Sequence, residues 1–376
     1  MQNINKLDND NIIEVNLNNI KHNYLNVLKS KIKENTKVIA VVKSNAYGHG
    51  LIKVSQFLES INVDYLGVFS VKEGVILRLN GLKKEILIFG AVKETDIEFL
   101  FDYSLTPLIG TKEEYELIEK IVPKGNKTLP VHIKVDTGMG RIGFLPDESL
   151  EIIKKLYFFN KRVEIKGICT HFSDSSSVIK DYTIFQAELF QKLLDQLTQA
   201  KINIPIIHVS NSAAIINYPE FQFNCVRPGL LLYGLSPFDY NLDLKPALSL
   251  ISKIITIKNI QTNSFLSYNR TFQTKRPSRI ALVPLGYADG FSEKLSNKGQ
   301  VIIRNNRYPM VGSICMNQFL VDITDSENIQ YNDRVTIIGN DISESISVKE
   351  ISKTSSLIPY EILCRLSEDL PRIYKE

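Results

Sequence analysis

Lys43 is the residue of this chain most plainly placed for chemistry. It follows the apolar run VIAVV and opens the small, Gly-containing stretch KSNAYGHG. A lysine at the end of an apolar strand is costly unless it is used. Desolvation there lowers its pKa, giving a neutral amine able to form a Schiff base with a carbonyl and later act as a base. Other polar residues interrupt apolar runs in the same way: Lys134, Asp136 and Arg141 in HIKVDTGMGR, His171 in ICTHF, His208, Asn211 and Ser212 in IIHVSNS, and Arg227 with Gly229 in CVRPG. Any one of them could belong to a satisfied buried network; so many together read as a site.

Positioning these residues falls to a repeating unit. From residue 37 to about 235, short Val/Ile/Leu-rich runs alternate with amphipathic helical stretches, which predicts strands over 37–43, 65–69, 85–90, 104–108, 130–136, 164–172, 205–210 and 225–234. Eight such units predict an α/β fold, a (β/α)8 barrel. Its catalytic groups gather at the C-terminal strand ends, and a phosphate often sits after strands seven and eight, where Ser212 and the Gly229 backbone fall. The glycines of TGMGRIGF let backbone approach a ligand. Ser70 with Glu73, and Thr111 with Glu114, fit capping boxes that start helices just past a strand. Ile97, Leu100 and Phe101, then Leu117, Ile118 and Ile121, form stripes that pack on the barrel.

After Pro246 the pattern changes to β-runs separated by turn residues, with one short helical pattern near 348–356, so a second, mainly β domain is expected. Asn305 and Asn306 look like a hairpin turn. The barrel is assigned residues 12–244 and the β domain 245–376, with segment 1–18 open to packing on the β domain.

Composition closes off other classes. The 376 residues exceed one average domain, and 44% hydrophobic with 23% charged residues excludes disorder and fibrous folds. No apolar run approaches the ~18 residues of a membrane span. Forty-five basic and 41 acidic residues, interspersed, give +4 and no nucleic-acid footprint. The polar, Asn-rich start has no secretory signal, so a cytoplasmic location is expected. Cys169, Cys225, Cys315 and Cys364 lack a paired spacing for zinc or redox work and read as reduced thiols, with no metal site expected.

The segments VKSNAYGHG, KVDTGMGRIGF, THF, HVSNS, RPGLLLYGL, LKPALSL, GYADGF, GSICMNQ and PYEILCRL resemble, in order, those of the bacterial alanine racemase family, over nearly the whole chain. The resemblance implies that Lys43 holds pyridoxal 5′-phosphate and serves as one catalytic base, with Tyr287 as the other, so that L- and D-alanine interconvert and peptidoglycan synthesis is supplied with D-alanine. His171 would lie against the cofactor ring and help Tyr287 lose its proton, with His208 and Arg227 behind it and Arg227 facing the pyridine nitrogen. Tyr47, Ser212, Tyr360 and the backbone of Gly229 and Leu230 would hold the phosphate. Arg141 would clamp the substrate carboxylate, with Met316 near the substrate, Lys134 carried as a carbamate that holds Arg141, and Asn211, Cys315 and Asn317 in support. The family's homodimer places Tyr287 and Met316 in the partner's site. Three positions depart from the family pattern: Ser313 replaces a usual Arg, Asn317 a usual Asp, and Asn269 a usual Gly. The first two together keep local charge balanced. A serine or broader-specificity racemase, and a non-catalytic carrier of the cofactor, are the competing readings.

Overall fold

The structure, a computed structural model, describes residues 10–120, 128–160, 162–238 and 242–376. It divides into two compact units: residues 19–46 with 51–245, and the segment ending at residue 18 with residues 47–50 and 246–376.

In the first unit eight parallel strands close in sequence order: Lys37–Val41, Tyr65–Val68, Glu85–Ile88, Leu105–Ile109, Leu129–Lys134, Val163–Cys169, Ile206–Asn211 and Cys225–Arg227. Closure is made by Lys37 opposite Cys225 and Val38 opposite Val226. Ile39, Leu87, Leu108, Cys169, Ile206 and Cys225 form one buried cluster contributed by six of these strands. Both capping boxes are present. Ser70 Oγ accepts from Glu73 N while Glu73 Oε2 accepts from Ser70 N, and Thr111 and Glu114 make the same exchange. Ile97, Leu100 and Ile118 are buried as their stripes require; Ile121 lies outside the described residues.

Several strand ends differ from the sequence reading. The first strand stops at Val41, two residues short of Lys43. The sixth ends at Cys169, so His171 stands in the loop that follows rather than on the strand. Ser212 opens a helix, Ser212–Asn217, rather than ending the seventh strand. The eighth, expected to reach residue 234, ends at Arg227, because Pro228 lacks an N–H for the ladder and Leu230–Tyr233 winds into a 3₁₀ turn closed by Gly234 at φ 81°. A buried apolar run does not by itself distinguish strand from turn.

The second unit carries a mainly antiparallel sheet in the order Thr256–Ile260, Ser278–Val283, Phe319–Asp322, Asn306–Val311, Gln300–Ile303, Arg334–Asn340, Leu248–Lys253, Ile12–Asn16 and Arg372–Lys375. Assigning the barrel from residue 12 therefore misplaces Ile12–Asn16, which pairs antiparallel with Leu248–Lys253 and parallel with Arg372–Lys375. The hairpin turn lies one residue earlier than expected. Its central residues are Arg304 (φ 47°) and Asn305 (φ 64°), and Asn306 already pairs with Ile303. Two helices, Val348–Ser355 and Pro359–Cys364, stand where one was expected.

Candidate active site

The predicted site residues fall into two groups, one in each compact unit. The chain leaves the first strand of the barrel unit through a turn of left-handed helix, with φ of 54°, 55° and 52° at Ser44, Asn45 and Ala46, and of 53° at Tyr47, the first residue of the segment 47–50 that belongs to the other unit. Such a conformation costs roughly 1 to 2 kcal/mol per residue for an L-amino acid, so its neighbours must hold it in place. Ser44 N donates to Glu73 Oε1 at 2.7 Å, Ala46 N to Val42 O at 2.8 Å, and Leu51 N to Asn45 Oδ1 at 2.7 Å. Glu73 thus caps its own helix and pins the turn that presents Lys43.

Arg227, 7% exposed, sits at the centre of the group. Its Nη1 donates to His208 Nδ1 at 2.7 Å and to the His208 carbonyl; its Nη2 reaches the carbonyls of Thr170 (2.8 Å) and Val209 (2.9 Å) and His171 Nδ1 (3.2 Å). Its charge is held by carbonyls and imidazoles, and no carboxylate pairs with it among the described residues. His171 and His208 are driven well below the usual histidine range, first by burial and then by the charge of Arg227. Lys134, Arg141 and Lys43 add smaller electrostatic contributions in the same direction at His171. The loop carrying His171 is fastened by buried Gln186, whose Nε2 donates to His171 O and whose Oε1 accepts from Ser173 N.

Lys134, the last residue of its strand, has its pKa lowered by burial, with Arg227 and Arg141 adding to the effect and Cys169 and Asp136 opposing it. Asp136 is a loop organiser. Its Oδ1 accepts from the backbone N–H of Gly138 (2.9 Å), Met139 (2.8 Å) and Gly140 (3.1 Å), and its Oδ2 from Arg141 N (3.1 Å). Arg141 itself is exposed. Buried Ser212 Oγ accepts from Gly229 N at 2.9 Å and Leu231 N at 3.4 Å, bringing a hydroxyl and the Gly229 backbone together. Asn211 is the N-cap of the helix Ser212 opens, accepting from Ala213 N and Ala214 N, which is a structural task. Sequence reasoning missed His132, whose Nδ1 lies 2.8 Å from His208 Nε2. Strand alternation supplied the clue, because His132, Lys134 and Asp136 share parity.

In the other unit, GYADG is wound tightly. Tyr287 N donates to Cys315 O at 3.2 Å and Ala288 N to Met316 O at 2.9 Å, joining this segment to the CMNQ loop. A Cβ on Gly286 would lie 2.2 Å from Met316 O, and one on Gly290, at φ 90°, 2.0 Å from Arg365 O. Tyr287 and Met316 project outward, 48% and 56% exposed, with Asn317 exposed beside them. Ser313 is buried, its Oγ donating to Tyr268 O at 3.2 Å, and Asn269 takes φ 60°. That left-handed conformation explains a usual Gly there, and Asn is among the residues that best tolerate it. Tyr47 and Tyr360 lie with ring centroids 5.9 Å apart; burial pushes Tyr360 up to about 12 and raises Tyr47 as well, so both are O–H donors at neutral pH.

Residues 15–237 match the family model described as alanine racemase, N-terminal domain, and residues 247–374 the one described as alanine racemase, C-terminal domain. An alanine racemase of Halothermothrix orenii is 40% identical over 365 residues, 96% of each chain. Among solved structures, the alanine racemase of Clostridium difficile 630 has a TM-score of 0.90 at 35% identity, covering 98% of this chain and 96% of that one. An alanine racemase of Bartonella henselae with covalently bound pyridoxal phosphate has a TM-score of 0.86 at 29% identity, covering 98% and 100%.

Proposed function

The chain belongs to the alanine racemase family and interconverts L- and D-alanine with pyridoxal 5′-phosphate; from that premise we propose that Lys43 and Tyr287 are its two bases and that the buried group around Arg227 sets the electronics between them. As in its family, the D-alanine it makes serves peptidoglycan synthesis.

The donor chemistry of the two groups suits the cofactor. Ser212, the backbone of Gly229 and Leu230, and the protonated phenols of Tyr47 and Tyr360 are neutral donors appropriate to a phosphate dianion. Arg227 has its Nη1 and Nη2 protons engaged by carbonyls and imidazoles, and its Nε–H, outside those bonds, is assigned to the pyridine nitrogen. Since a guanidinium is always a donor, it would leave that nitrogen unprotonated when the cofactor is bound. Pyridoxal phosphate, when bound, supplies the electron sink for the charge left as the α-proton departs.

The enantiomers have equal free energy in water, so each base must both take and return a proton, one on each face of Cα. The Lys43 amine serves one face and the Tyr287 phenolic oxygen the other. Because His171 Nδ1 accepts from Arg227, its proton belongs on Nε2. It therefore stabilises the deprotonated tyrosine by donating to it, rather than by taking its proton. Arg141 forks onto the substrate carboxylate, oriented by the loop that Asp136 holds. Lys134, eased toward a neutral amine, would add through its Nζ to CO₂, losing a proton to give a carbamate whose negative charge would hold Arg141.

The barrel and β units divide these tasks, and a homodimer completes them: the outward Tyr287 and Met316 are assigned to the site of a second copy. No helix among the described residues is long and apolar enough to cross a membrane. A cytoplasmic location belongs to the same reading, since the buried thiols of Cys169 and Cys225 suit a reducing compartment. The single observation carrying the reading is a buried arginine, with no carboxylate partner among the described residues, at the centre of a neutral histidine cluster. Tyr287→Phe tests it: kcat should fall about 10²- to 10⁴-fold while the bound cofactor keeps its visible absorption. Undiminished racemisation would remove Tyr287 as a base.

A further inference from the structure

We propose that His132 is a positioning residue: it ends a one-way hydrogen-bond chain, Arg227 to His208 to His132, that fixes the tautomer of His208 and so holds Arg227 in the pose its task requires. What Arg227 faces rests on the cofactor assignment above, whereas the direction of the chain follows from the side chains alone.

A guanidinium has donors and no acceptor, so Arg227 Nη1, 2.7 Å from His208 Nδ1, makes that nitrogen an acceptor. A neutral imidazole carries one proton, which on His208 must therefore be on Nε2. That nitrogen lies 2.8 Å from His132 Nδ1, which accepts in turn, and His132 carries its own proton on Nε2. There the chain ends, since His132 Nε2 is buried with no partner among the described residues. A proton added to either ring would break the pattern, and burial together with Arg227 opposes it, pulling His132 down to about 3. The other tautomer of His208 would turn an N–H against the N–H of Arg227.

A second observation shows the ring of His132 seated for this contact. On the neighbouring strand Val163–Cys169, a Cβ at Gly167 would lie 2.4 Å from His132 Nδ1, so only the absence of a side chain there leaves the ring its place. The two imidazoles meet at 57° with centroids 5.0 Å apart, which is edge contact suited to a nitrogen-to-nitrogen bond. Without the acceptor on His132, His208 either buries an unsatisfied N–H or reverses its tautomer and pushes Arg227 away.

The test uses the holoenzyme labelled with ¹⁵N-histidine; with five histidines in the chain, long-range ¹H–¹⁵N spectra can be assigned ring by ring. Both His132 and His208 should show an unprotonated Nδ1 and a protonated Nε2, and a protonated Nδ1 on either refutes the chain. His132→Asn, whose amide oxygen stands near the place of Nδ1, should keep kcat within about threefold. His132→Leu should lower kcat about tenfold or more, leave KM for alanine nearly unchanged and shift the visible absorption of the bound cofactor. Equal kcat and spectra in the two variants would mean that His132 only fills space, which overturns the proposal. Should His132→Leu fail to fold, Gly167→Ala, which displaces the ring, carries the same expectation. An unsubstituted enzyme lacking cofactor absorption or racemisation would instead overturn the cofactor assignment and the task given to Arg227.

Discussion

Replacing Asp136 separates loop organisation from direct substrate contact. Its carboxylate accepts four backbone N–H groups, from Gly138, Met139, Gly140 and Arg141, at 2.8 to 3.1 Å. A hydrogen bond to a charged group is worth about 1.5 to 3 kcal/mol, so four deletions could seem to cost more than ~6 kcal/mol. Gly138, Gly140 and Arg141 lie at or near the surface, however, and their freed N–H groups regain water. The loss for Asp136→Ala should therefore fall near about 2 to 3 kcal/mol. The effect on function is a separate quantity. If loosening the loop forfeits about half of a bidentate Arg141–carboxylate interaction, KM for alanine rises roughly 5- to 10-fold with kcat less affected. Denaturant titration would measure the first quantity and steady-state racemisation, followed by polarimetry, the second. Burial alone would raise the Asp136 pKa, but its four N–H donors outweigh that and hold the carboxyl below the usual aspartate value. Its contribution is then complete above the unfolded value near ~3.9 and is lost as pH falls through the lower folded value. Asp136→Ala should accordingly show less loss of stability on acidification than the unsubstituted chain. A variant with unchanged stability and KM would refute the assignment of Asp136 as the organiser of this loop.

Gly290→Ala should be far more damaging than an ordinary surface change. It places a Cβ 2.0 Å from Arg365 O at φ 90°, so a loss of about 2 to 4 kcal/mol and a displaced Tyr287 are expected, read by thermal melting and kcat. Lys134 should gain the mass of one CO₂ in the active enzyme. Full activity with no carbamate carbon signal in the ¹³C spectrum of the native enzyme in ¹³C-bicarbonate at neutral pH would dismiss the carbamate. Specific activity should fall on dilution below the dimer dissociation constant and recover on concentration, and a fully active monomer on a sizing column would contradict the shared-site reading of Tyr287.

The racemase segments were legible because each is local: a lysine after an apolar strand, a glycine-rich loop, and GYADG are short-range statements about backbone freedom and burial. Strand alternation also predicted the barrel and the change to β structure after Pro246. What escaped was of two kinds. Strand ends at Val41, Cys169 and Arg227 were overrun because an apolar run stays apolar through the turn that follows it, and only the left-handed turn after Lys43 and the Pro228–Gly229 break decide where pairing stops. The strand Ile12–Asn16 is ordinary as a sequence, and its partners lie more than 200 residues away, so nothing local assigns it to the β unit.

The same division runs through the site. Residue types and their order along the chain determined which chemistry was possible, since an amine, a phenol and a guanidinium carry their reactivity wherever they are placed. Which proton sits on which nitrogen was decided only by tertiary structure. Arg227, His208 and His132 come from three different strands, and Gly167, from a fourth, makes room for the last ring. Hydrogen-bond direction is set by distances of a few ångströms between residues far apart in the chain, and no spacing along a sequence encodes those distances.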